Sequence, residues 1–289
     1  MTQRLCAAAA LVACVTAPAA AQDWYGGAAV TLDRFSTDDD GTDRGNATGL
    51  GGQGFAGLAF GDRLYAEGDL SLSGVSSIQD PFQLGLVAGE VLAGRFGRDF
   101  GAFSVEGVLG TMTAVSGESD VFGLPDIERG VLAISGSYRL NDDLVGGLMI
   151  GRLDGDGDGA SNADAFRDLT HLVGHVDYRL NADWTIVGSA AFGSGVVDQD
   201  DDDASVRALA VEARYGLPKL GLTAFVGLSN TYMKQTDPDD VNDNDDASRV
   251  GVYAGVRWVF GADGATRARS RVPLPDYLTW LAMSDGILE

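Results

Sequence analysis

The feature that most constrains this chain is a period of two, repeated twelve times. Apolar and polar residues alternate through segments at about 24–35, 48–60, 63–75, 82–96, 99–115, 126–140, 143–153, 167–180, 183–196, 205–217, 219–233 and 247–260. Successive side chains of a strand point to opposite faces, so each segment carries one apolar and one polar face. In the last segment Val250, Val252, Ala254, Val256, Trp258 and Phe260 share a face, and Arg249, Gly251, Tyr253, Gly255 and Arg257 share the other. In the eighth, Leu172, Gly174, Val176, Tyr178 and Leu180 oppose His171, Val173, His175, Asp177 and Arg179. Each segment can supply the roughly 9–11 residues that a tilted strand needs to cross a bilayer, whereas no apolar run in them approaches the ~20 of a spanning helix.

The connections alternate in length. Links at Gly61-Asp62, Gly97-Arg98, Asn141-Asp142, Asn181-Ala182 and around Pro218 are tight, and those near 36–47, 76–81, 116–125, 154–166, 197–204 and 234–246 are mostly longer and polar. Two tight links share a phrase, Tyr138-Arg139-Leu140-Asn141 and Tyr178-Arg179-Leu180-Asn181, each ending one alternating run just before the next begins. That is hairpin punctuation. Backbone polar groups in lipid must be paired within the protein, which a sheet achieves only by closing. The expectation is an all-β, closed antiparallel transmembrane β-barrel of about 12 strands in an up-and-down meander over residues 22–260, with short turns at one rim and long loops at the other. Phe60, Phe96, Phe100, Tyr138, Tyr178, Trp184 and Tyr215 flank the tight links, where an interfacial aromatic girdle belongs. Glycine, 41 of 289 residues against a usual ~7%, suits crowded, sharply turning strands. One segment is irregular: Leu84, Leu86 and Leu92 share parity with Glu90, while Val87, Val91 and Ala93 share it with Arg95, which either a bulge or an error in assigning the faces of 82–96 would explain.

Residues 1–21 combine Arg4, an apolar stretch from Leu5 to Thr16 and a small-residue cleavage site, the form of a secretory signal peptide cut after Ala21. Leu11-Val12-Ala13-Cys14 offers an alternative, lipoprotein processing at Cys14. Both cysteines, Cys6 and Cys14, fall in this leader, so cleavage after Ala21 leaves no thiol chemistry. The net charge is −22, and loss of the leader makes it one unit more negative because Arg4 is its only charged side chain. Nucleic acid is thereby excluded as a partner.

The final segment, "VGVYAGVRWVF" from Val250 to Phe260, resembles the closing strand of bacterial outer-membrane β-barrels of the porin-like class, which typically ends in an aromatic residue. This chain departs from that pattern by continuing to Glu289. The resemblance is architectural and covers nearly the whole chain after the leader. It implies export through the periplasm to the outer membrane, recognition by the barrel assembly machinery, and a surround of outer-membrane lipid and lipopolysaccharide. It also implies passive diffusion of small hydrophilic solutes, with short turns in the periplasm.

Parity nominates lumen-lining residues: Asp33, Glu67, Asp69, Glu106, Arg139, His171, His175, Asp177, Arg179, Glu212, Arg214 and Arg257. With acidic loops at the mouth, a pore lined this way is expected to prefer cations. The alternative is a non-conducting surface or adhesion barrel whose acidic loops carry the role. Asp154, Asp156 and Asp158, with Gly159 behind them, match the first half of an EF-hand loop and could bind Ca²⁺ weakly; position twelve is Ala165 rather than glutamate, so a solvated acidic loop is the plainer reading and no cofactor is expected. His171 and His175 share a face with Asp177, with Ser135 or Ser189 on neighbouring strands, but no hydrolase motif surrounds them and a polar wall suits them better than catalysis. The tail 261–289 carries Arg267, Arg269 and Arg271 and an apolar set at Tyr277, Leu278, Trp280, Leu281 and Met283. It is expected either as a periplasmic extension or as a plug drawn in by Glu67, Asp69 and Glu106; the desolvation of three guanidinium groups favours the extension.

Overall fold

The computed structural model describes residues 23–39, 42–60, 63–77, 87–115, 126–155, 166–197, 203–236, 246–261, 264–277 and 279–280. They form twelve strands: β1 (Asp23–Asp39), β2 (Thr42–Phe60), β3 (Leu64–Ser77), β4 (Val87–Asp99), β5 (Phe103–Val115), β6 (Asp126–Arg139), β7 (Leu144–Asp154), β8 (Phe166–Arg179), β9 (Trp184–Val197), β10 (Asp203–Leu217), β11 (Leu222–Thr236) and β12 (Asp246–Phe260). Each pairs antiparallel with its sequence neighbour, and β1 closes on β12 from Gly26 opposite Phe260 to Asp39 opposite Ala247. No sheet edge is left, as a bilayer requires.

Outward parity is largely apolar. Val30, Leu32, Leu50, Leu109, Leu132, Ile134, Leu148, Ile150, Leu209 and Leu228 each leave more than half their surface uncovered, a belt that only lipid would cover favourably. At the short-turn rim Trp24, Phe100, Phe103, Tyr138, Tyr178, Trp184, Tyr215 and Trp258 are exposed to a lesser degree, at 38–53%.

The repeated phrase has a repeated geometry. Asn141 Oδ1 accepts from the backbone N–H of Asp143 and Leu144, both at 2.9 Å, and Asn181 Oδ1 accepts from Asp183 at 2.9 Å and Trp184 at 3.0 Å. Each asparagine therefore holds its own reversal by an Asx-type turn.

Two expectations are corrected. Within Val87–Asp99 there is no bulge: β4 keeps unbroken register with β3 and β5, and Val91, Ala93, Arg95 and Gly97 all face inward, while 82–86 lie outside the described residues. The mixed parity arises because the inner face there is itself partly apolar, while Glu90 stands exposed on the outer one. The first long loop is also mostly strand. Pairing of β1 with β2 continues past Phe35 opposite Ala47, shifts register between Thr37 and Asp38, and leaves only 40–41 between the two strands.

Candidate functional site

The bore is built from a unit that recurs across three strands at a time. Tyr25 of β1 lies over its cross-strand partner Gly57 of β2 and donates its hydroxyl to Glu67 Oε1 of β3 at 2.9 Å. Tyr65 of β3 lies over its partner Gly97 of β4 and reaches Glu106 Oε2 of β5 at 3.0 Å. On the far side of the closure, Tyr253 of β12 covers its partner Gly227 of β11 and hydrogen-bonds Glu212 of β10. The glycines are needed for room: a Cβ at Gly97 would sit 2.3 Å from the Tyr65 ring, and one at Gly227 would sit 2.3 Å from the Tyr253 ring.

Arg95 ties the second unit to Asp69 of β3. Its side chain has no exposed surface, its Nε donates to Asp69 Oδ2 at 2.5 Å and its Nη1 to Glu106 Oε1 at 2.5 Å. Ser135 Oγ also donates to Glu106, at 2.7 Å. A carboxylate so surrounded tolerates burial because every charge has a partner.

The described tail residues, 261, 264–277 and 279–280, lie within this bore. Gly261, at φ 84°, reverses the chain where β12 ends, and a Cβ there would strike the Trp24 carbonyl at 2.3 Å. A short helix α1 (Gly264–Ser270) follows. Arg267 Nε donates to Glu67 Oε1 at 2.6 Å and its Nη2 to Glu106 Oε2 at 3.1 Å, with the guanidinium 3.6 Å above the Tyr65 ring. Burial works against this charge, and Glu67, Tyr65 and Glu106 more than offset it, so the guanidinium is held protonated. Arg269 Nε donates to Asp177 Oδ1 at 2.6 Å, and its two Nη groups donate to the carbonyls of Asp142 and Asp143 at 2.9 and 3.0 Å. Arg271 bonds Asp69, approaches Glu67 Oε2 at 3.5 Å and sits 4.8 Å above the Phe55 ring. The partners that the desolvation argument demanded are present, and the described tail residues lie inside the bore rather than beyond the short-turn rim.

Further along, Val272, Leu274, Tyr277 and Trp280 pack into an inward apolar layer that includes Val91, Val108, Met112, Val131, Met149 and Val173. Tyr277 Oη lies 2.9 Å from His171 Nε2, and burial keeps that phenol protonated. Trp280 meets His171 edge-on at 6.3 Å. Thr279 Oγ1 bonds Arg249, whose Nη2 donates to Asp33 Oδ2 at 2.5 Å. Between this stretch and the β1–β3 wall remains a cavity of about 230 Å³ lined by Thr31, Gln53, Ser71, Ser73, Asp69 and Arg271 among others.

The sequence-nominated residues divide accordingly. Glu67, Asp69, Glu106, His171, His175, Asp177 and Glu212 are buried in the bore, and Asp33, Arg214 and Arg257 face it half-buried. Arg214 bonds Glu212 and lies 3.3 Å from Asp177. Arg139 and Arg179 keep inward parity but end β6 and β8, and both are exposed at the short-turn rim. Of the residues read as a His–Asp–Ser arrangement, Ser135 bonds Glu106, Asp177 is engaged by Arg214 and Arg269, and His171 meets Tyr277, while Ser189 stands opposite His175 in the β8–β9 register. Asp154 is exposed, 3.9 Å from Arg152, whereas Asp156 and Asp158 lie outside the described residues. Among the described residues no group of three potential metal ligands converges. Arg95 and Arg249 were not nominated, although Arg95 shares parity with Val91 and Ala93, and Arg249 with Arg257.

A closed, twelve-stranded antiparallel meander with an apolar outer belt and a charged bore has the architecture of a transmembrane β-barrel. Among solved structures, the KdgM porin aligns at 15% identity over 80% of this chain and 99% of its own, with a TM-score of 0.45. The NanC porin aligns at 14% over 76% and 98%, TM-score 0.42, and the outer-membrane OmpT of Vibrio cholerae at 12% over 85% and 99%, TM-score 0.42. No protein-family model matches the chain, nor does any curated sequence. Likeness at this level bears on architecture alone, and the functional argument rests on the bore.

Proposed function

We propose that this chain is an outer-membrane channel for small hydrophilic solutes, not an enzyme, and that its own C-terminal tail holds the bore shut. The observation that carries this is the seating of Arg267, Arg269 and Arg271 on Glu67, Glu106, Asp177 and Asp69. Without the tail, the buried acids Glu67, Asp69, Glu106, Asp177 and Glu212 outnumber the buried or half-buried Arg95, Arg214 and Arg257 in the wall, with Arg139 and Arg179 exposed at the rim below. The open bore therefore prefers cations, and the preference fades with salt because the Debye length is about 10 Å at 0.1 M.

Single-channel recording in planar bilayers tests this. Full-length protein is expected to be largely closed, and deletion of 261–289 to raise conductance several-fold, on the order of 10 times for a bore emptied of its filling. The full-length double variant Arg267→Ala, Arg271→Ala should open partly, as should high salt. Equal conductance in all three proteins would reject the plug, and a reversal potential showing anion preference at low salt would reject the selectivity. If the opened proteins are as silent as the parent, the second reading takes over: a non-conducting surface barrel, favoured by the filled bore, whose acidic loops carry the role and bind Ca²⁺ weakly.

Orientation is tested separately. With the short turns in the periplasm, a cysteine at exposed Asp154 should react with a membrane-impermeant maleimide on intact cells and one at exposed Asn181 should not. The reverse pattern would invert the barrel.

A further inference from the structure

The geometry points to a guanidinium-binding site in the bore, of which the tail is the intramolecular occupant. We propose that small solutes bearing a guanidinium group compete with Arg267 and Arg271 for it. The route of such a solute rests on the channel reading above; its binding does not.

The site is more than a group of acids. Arg267 is held on two sides by Glu67 Oε1 at 2.6 Å and Glu106 Oε2 at 3.1 Å, while its plane lies 3.6 Å from the Tyr65 ring. Arg271 repeats the arrangement one step along, with Asp69, Glu67 Oε2 at 3.5 Å and the Phe55 ring at 4.8 Å. Carboxylates at the edges with an aromatic surface beneath match a flat, delocalised cation that donates from several edges. An ammonium is a compact, strongly hydrated point charge and uses neither the plane nor the second edge well.

The wall itself is preset for this. Tyr65 is pinned by Glu106 at 3.0 Å and given its place by Gly97, and Glu106 is oriented by Ser135 and Arg95, all independently of the tail. A site held by its own second layer keeps its shape when the occupant leaves. Beside it the 230 Å³ cavity, which reaches Asp69 and Arg271 from the β1–β3 wall, gives an arriving solute room next to the seated tail.

The test uses full-length protein folded in detergent micelles, with chymotryptic cleavage after the buried Tyr277 and Trp280 as the report of tail release, because a guanidinium solute would occupy the arginine pocket of trypsin. Agmatine, which joins a guanidinium to an ammonium, is compared with putrescine, which has two ammoniums, and with NaCl at the same ionic strength. Agmatine is expected to speed cleavage about tenfold over either, the ratio that ~1.4 kcal/mol of selective binding produces. In parallel, calorimetric titration of full-length Arg267→Ala, Arg271→Ala protein should show agmatine binding that Glu106→Gln in the same background weakens about tenfold. Agmatine acting no more than putrescine in the native chain overturns the proposal, whether or not the variants fold. A barrel that conducts yet treats the two amines alike keeps the channel and loses this site; one that binds agmatine selectively but passes no current does the opposite.

Discussion

Replacing Arg95 with Met is expected to lower the stability of the folded barrel by about 3–5 kcal/mol, the usual result of stranding one side of a buried ion pair. Arg95 has no exposed side-chain surface and serves two carboxylates at once, Asp69 and Glu106, each at 2.5 Å. Met fills similar space but leaves both acids facing one another without the cation between them. The tail arginines cannot fully substitute, because Arg267 and Arg271 reach the same acids from the bore side while Arg95 approaches from the wall. The urea midpoint for folding into lipid vesicles would measure the loss. Adding Asp69→Asn and Glu106→Gln to Arg95→Met should recover part of it, since neutral amides carry a smaller burial cost. Arg152→Met is the comparison: that side chain is 55% exposed and lies 3.7 Å from Asp168 and 3.9 Å from Asp154, so less than about 1 kcal/mol is expected. Equal midpoints for the Arg95 and Arg152 variants would show that the bore network contributes nothing beyond a surface pair.

The strands were legible because lipid on one side and a polar bore on the other force strict alternation, as Val250 to Phe260 illustrates. The tight turns were legible because Asn141 and Asn181 carry the turn chemistry in their own side chains. Where the bore is apolar the rule loses its contrast, which is why Val91, Ala93 and Arg95 read as an error instead of an inward face. The run from Ser36 to Ala47 is polar enough to resemble a loop, yet hydrogen bonding between β1 and β2 extends through it because backbone pairing needs no apolar side chains.

The candidate site was half-visible. The tail arginines and the acids Glu67, Asp69 and Glu106 could be named from parity and charge, but the balance between burial and pairing could not be struck. It turns on groups that no period reveals: Ser135, the Tyr65 ring, and the carbonyls of Asp142 and Asp143. The tyrosine–glycine–glutamate units were hidden for a related reason. Their tyrosine and glutamate stand 42 and 41 residues apart, so they appear only once the register of three strands is known.

That unit leads to the second large effect, in which adding atoms to the wall should unseat the tail. Gly97→Val places a Cβ 2.3 Å from the Tyr65 ring and 2.8 Å from Glu106 Cβ, and an inward β-branched side chain has no rotamer that avoids the ring. Overpacking of this kind costs about 1–3 kcal/mol. Turning Tyr65 away also removes its 3.0 Å hydrogen bond to Glu106 and the aromatic surface under Arg267, so the total is expected near 3 kcal/mol with the buried acceptor left short of a donor. Two readouts should move together: the urea midpoint falls, and trypsin cuts after Arg267 faster than in the parent. Gly107→Val separates this from any general effect of losing a strand glycine, because Gly107 points outward on β5 with nothing within 4 Å of an added Cβ. Valine suits a lipid-facing strand position, so that variant should fold as well as the parent and keep its tail protected. If Gly97→Val were as stable and as protease-resistant as Gly107→Val, the tyrosine ring would not be what supports the tail, and the seat would have to rest on the carboxylates alone.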